Sequence, residues 1–143
     1  MKTMLSIAAL GTIAALSAAG VAAQEGGRPF TVEMTGAAEV PGPGDEDGSG
    51  TATLRVNPGQ GRVCYTLDVE GIEPATAAHI HRTPPDPGPV VAPLDAPADG
   101  NSSGCADVER ALAQEIIRDP SIFYVNVHNE DFPGGAVRGN LSR

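Results

Sequence analysis

The chain has 143 residues, 18 of them acidic against 9 basic, and a formal net charge of −9. That is the size of one domain, and it carries no basic footprint for nucleic acid or an anionic membrane. Its 18 glycines and 13 prolines leave little room for long helices.

In chain order, Met1-Lys2 precede an apolar run from about Leu5 to Ala19, closed by Val21-Ala22-Ala23 and the polar Gln24. A basic start, a short apolar centre and small residues before a polar one predict a signal peptide over residues 1–23 and a single domain over 24–143. Ser6, Gly11, Thr12 and Ser17 interrupt the run and no basic flank follows it, so a retained membrane helix is the weaker reading. The expected location is secreted or periplasmic, with no membrane span once the signal is removed.

"FTVEMTG" alternates Phe30, Val32 and Met34 against Thr31, Glu33 and Thr35. The same period of two runs through "TATLRV" (Ala52, Leu54, Val56) and "VCYTLDV" (Val63, Tyr65, Leu67, Val69). Such alternation predicts half-buried antiparallel strands, the last two joined as a hairpin across Asn57-Pro58-Gly59-Gln60-Gly61. Between the first two, Asp45-x-Asp47-x-Ser49-Gly50 opens like a calcium loop, but Val56 stands where the twelfth-position Glu is required. A solvated acidic loop is the expectation there.

Cys64 and Cys105 are the only cysteines, and in an oxidising compartment one disulfide between them is the default. Two metal thiolates fit poorly at that separation and without C-x-x-C spacing. Further on, "DVERALAQEIIRD" sets Val108, Leu112 and Ile116 at i, i+4 and i+8, the spacing of one helix ended before Pro120. "IFYVNVH" then reads as a strand with Phe123, Val125 and Val127 on one side and Ile122, Tyr124, Asn126 and His128 on the other. "AVRGNL" is its expected hairpin partner. The tally is six or seven strands and one helix, an all-β antiparallel sandwich. Ser102 and Ser103 read as a turn, with no nucleophile-elbow context.

Several of these stretches together resemble the CHRD domain family: "TGAAEVPGPG", "GSGTATLRV", "AAHIHRTP…GPVVAPL", "SSGCADVE" and "YVNVHNEDFPGGAVRGNL". The resemblance runs from about Phe30 to Leu141 and implies an exported, immunoglobulin-like Greek-key β-sandwich with no settled activity. Where similar chains carry glycines after H-I-H, this one has Arg82-Thr83-Pro84-Pro85-Asp86-Pro87-Gly88-Pro89, which predicts a stiffer loop. A more distant resemblance, to copper-zinc superoxide dismutases, is carried by the H-I-H pair and the late "VNVH" histidine. It implies copper or zinc on His79, His81 and His128, with Arg138 in the place of an anion-guiding arginine. No further histidine exists to build a second metal site, so any site is mononuclear.

Two readings of the histidines stand. Residues i and i+2 of a strand share a face about 6.6 Å apart, close enough to converge on one ion at 2.0–2.1 Å from each nitrogen. Tyr124 and Asn126 would then orient the ligands, and no catalytic residue is implied. In the other reading His79, His81 and Asn126 are polar fixtures of the sandwich, bonded to backbone. The function expected first is a non-catalytic binding module of the extracytoplasmic space, for an unknown protein or small ligand. The alternative is a mononuclear copper or zinc protein. Carboxylates scatter through loops without pairing, which favours no enzymatic role.

Overall fold

The computed structural model describes residues 26–143; the predicted signal segment lies outside the described residues. Eight strands form: β1 (Arg28–Thr35), β2 (Ser49–Asn57), β3 (Arg62–Glu70), β4 (Ala77–Arg82), β5 (Val90–Leu94), β6 (Asn101–Asp107), β7 (Phe123–His128) and β8 (Val137–Asn140). One α-helix, α1 (Arg110–Arg118), lies between β6 and β7. Every ladder is antiparallel, in the order β5-β4-β7-β8-β1-β2-β3-β6. The fold is all-β with a single short helix, as the alternation predicts.

The sheet curls until its two end strands approach each other, so it is nearly closed. β3 lies beside β6, three strands later in sequence, which is the Greek-key relation. The β5–β6 seam has no ladder and is tied by side chains. Tyr65 Oη accepts from the Asp95 amide at 2.8 Å and donates to Asp95 Oδ2 at 3.0 Å, while Ser102 Oγ donates to the Asp95 carbonyl at 2.8 Å.

The residues predicted to face inward do so, Val69 only in part. Phe30, Val32 and Met34 of β1, Ala52, Leu54 and Val56 of β2, and Val63, Tyr65 and Leu67 of β3 are all buried in one core. Ala78 and Ile80 of β4 and Phe123, Val125 and Val127 of β7 complete it from the facing strands. In β7 the outward-facing Tyr124 and Asn126 are buried as well, because loops cover that side of the sheet.

The structure corrects three expectations. There are eight strands rather than six or seven, since β5 and β6 lack a hydrophobic alternation long enough to announce them. Ser102 and Ser103 lie in β6 rather than in a turn. This strand of small polar residues exists because it pairs with β3 along its whole length and is bonded to it at Cys64–Cys105. The helix starts later than its apolar spacing suggests, because Asp107 is the last residue of β6; Ala113 and Ile116 are its buried residues. It ends at Arg118, as Pro120 requires. Among the described residues no helix is long and apolar enough to cross a membrane.

Candidate metal centre

β4 turns Ala78 and Ile80 into the core and therefore His79 and His81 outward. Beyond Ile80 the register with β5 shifts, a bulge that re-aims the following side chain. His81 is buried by the loop leaving β4: its Nδ1 lies 2.8 Å from the Gly88 carbonyl. A carbonyl only accepts, so Nδ1 carries the proton and Nε2 presents its lone pair. That Nε2 is buried and has no hydrogen-bond partner.

His128, at the end of β7, is fixed in the same way. Its Nδ1 donates to the Pro133 carbonyl at 3.0 Å, leaving the Nε2 lone pair 3.1 Å from Nδ1 of His79. One ligand nitrogen from each of His79, His81 and His128 falls within 4.8 Å of the others. Three nitrogens on one tetrahedral copper or zinc ion lie about 3.4 Å apart, so closure around an ion requires the side chains to draw together by up to about 1.5 Å. Burial pushes the pKa of His79 down, with the neighbouring His128 and His81 adding to it. Burial also lowers that of His128, opposed by the Pro133 carbonyl. Both effects favour the neutral imidazole, the form that binds metal.

Tyr124 packs beneath this cluster. Its ring lies parallel to that of His81, 3° between planes and 4.7 Å between centroids, and its hydroxyl accepts from the Gly88 amide at 3.0 Å. The Arg138 guanidinium sits 3.5 Å from the same ring. Arg138 is only 3% exposed, and its two terminal nitrogens donate to the two oxygens of Asp86 at 2.7 and 3.0 Å. The loop from Thr83 to Pro89 is therefore held over His81 at Gly88 and Asp86. Gly88 must be glycine: a Cβ there would lie 1.6 Å from the Arg82 carbonyl oxygen.

Glu39 closes the other side. It is 5% exposed, with Oε1 unpartnered, and burial raises its pKa from 4.5 to about 7. Arg138 and the Asn126 amide pull the value down, but Asp86 pushes it up. Because Asp86 already neutralises Arg138, burial prevails.

His79, His81 and His128 thus come together, with Tyr124, Asn126 and Arg138 around them; Cys64 and Cys105 form a disulfide on β3 and β6. Sequence reasoning assigned no chemistry to Glu39, Asp86 or Gly88. Glu39 stands in the "TGAAEVPG" stretch and Asp86 in the Pro-rich loop, and nothing local marks either as a neighbour of Arg138. Hollows of about 290 and 380 Å³ lie elsewhere, the first bordered by Glu33, Asp68 and Glu70, the second by Glu73, Glu130 and Asp131.

These features define a small, disulfide-bonded antiparallel β module with a histidine cluster under its loops. The chain belongs to the CHRD domain family, whose model matches residues 30–141. No curated protein and no solved structure matches it.

Proposed function

We propose that this protein is an exported binding module whose ligand is a single copper or zinc ion, held by His79, His81 and His128. The observation that carries the reading is the fixing of two tautomers by backbone carbonyls. Gly88 and Pro133 each take an Nδ1 proton, so the Nε2 atoms of His81 and His128 offer lone pairs to the space that Nδ1 of His79 borders. A buried ring nitrogen with no partner costs stability unless something satisfies it, and a cation does so here. Histidine nitrogens suit copper and zinc.

Charge favours binding a cation over turning over an anion. The chain carries a net charge of −9, and both terminal nitrogens of Arg138 are engaged by Asp86 rather than free to draw an anion in. Residues 1–23 serve as the export signal in this reading, and residues 24–143 act in an oxidising compartment where the disulfide persists.

The test is metal analysis of protein from the extracytoplasmic fraction, before and after dialysis against Cu2+ or Zn2+. About one ion per chain is expected, and alanine at either His81 or His128 should abolish it. A ratio near zero after loading, or full retention in either variant, sinks the three-histidine site.

A further inference from the structure

Asn126 lies on β7 directly across from His79 on β4 and from Arg138 on β8. It is 3% exposed, and its Oδ1 is 3.0 Å from Nε2 of His128. The proton of His128 is on Nδ1, given to Pro133, so Nε2 has only a lone pair to offer. An amide oxygen likewise offers only lone pairs. Two acceptors facing each other at hydrogen-bond distance in a buried place repel unless a positive charge sits beside both.

In the structure it is the amide oxygen, and not the NH2 group, that lies against the histidine nitrogen. We propose that Oδ1 of Asn126 is the fourth ligand of the ion bound by His79, His81 and His128, completing a site of three nitrogens and one oxygen. The assignment rests on the metal-binding reading above and makes Asn126 a ligand rather than a side chain that merely orients one. A carbonyl oxygen is a hard ligand, so the set fits Cu2+ or Zn2+ better than Cu+.

Co2+ is the probe, because its visible absorption reports the number and type of ligands. It is titrated into the full chain and into Asn126→Ala and Asn126→Asp, with melting curves confirming that each variant is folded. In Asn126→Ala the absorption should shift as water replaces the amide, and the Kd should rise by about 10–100-fold. In Asn126→Asp a charged oxygen occupies the same place, so the spectrum should shift while binding is kept or tightened. An Asn126→Ala spectrum and Kd equal to wild type overturn the fourth ligand while leaving the histidines standing. If the alanine variant does not fold, Asn126→Asp decides, and an unchanged spectrum there overturns it. Failure of the wild-type chain to bind Co2+, Zn2+ or Cu2+ overturns both the fourth ligand and the site itself.

Discussion

Glu39 is a buried carboxyl whose charge the fold resists, and this gives it a definite pH signature. Its pKa is raised from 4.5 to about 7 in the folded chain, so the folded state holds the proton more tightly than the unfolded state. Below pH 4.5 both states are protonated and no penalty arises. As pH rises toward 7 the unfolded chain gives up the proton first, and the cost is complete above 7. Glu39→Gln mimics the protonated form. It should leave stability near pH 4 unchanged and increase it above pH 7 by on the order of 2–3 kcal/mol. Denaturant unfolding at the two pH values checks this; equal gains at both would show that ionisation of Glu39 is not the cause.

At the scale of elements, two ion pairs have different expected worth. Arg62–Asp107 joins β3 to β6 at 3.3 Å, but both side chains are exposed and such pairs contribute under about 1 kcal/mol. Arg138–Asp86 joins β8 to the β4–β5 loop with the guanidinium buried, so losing Asp86 leaves a charge poorly solvated. Asp86→Ala should cost about 1–3 kcal/mol, well above Asp107→Ala. It should also speed amide exchange at Gly88 while the core strands stay protected. The same change removes the repulsion on Glu39 and frees Arg138 to face it, so the pKa of Glu39 should fall. Glu39→Gln should accordingly stabilise less in the Asp86→Ala background than in the wild type, a coupling that a double-mutant cycle measures directly. Additive effects would separate the two carboxyls.

For the whole molecule, the near-closed sheet has its two edge strands at β5 and β6, and the disulfide anchors the second of these. The sequence separation of 41 between Cys64 and Cys105 implies about 3–4 kcal/mol of stabilisation through the unfolded state. Replacing both cysteines by serine should lower stability by that amount. Metal affinity at 25 °C should remain, because the histidines are held by β4, β7 and their loops. Calorimetry followed by metal titration checks both halves; loss of metal binding in a folded double variant would mean that β6 supports the site.

Much of this was legible in sequence. Period-two alternation identified β1, β2, β3 and β7 and their buried faces, because a pleated strand half-buried in a sheet must alternate. It missed β5 and β6, whose strand character comes from pairing. The three histidines were legible as a group, since H-I-H on one strand and "VNVH" on another are each confined to one face. Their surroundings were less so. The resemblance put Arg138 in the place of an anion-guiding arginine, and the structure engages it with Asp86, 52 residues away in sequence.

By itself the sequence determined the all-β class, the inward and outward faces of the principal strands, the cysteine pair and the three imidazoles available to an ion. These follow from local periodicity and residue chemistry, which need no knowledge of neighbours. Only the tertiary structure decided which nitrogen of His81 and His128 points at the centre, because the carbonyls that take the other proton belong to Gly88 and Pro133 in loops. The burial of Glu39 and the facing of Asn126 Oδ1 to His128 were decided there too. The direction of a lone pair and the pKa of a carboxyl depend on the groups packed against them, and those groups are set by how the strands come together.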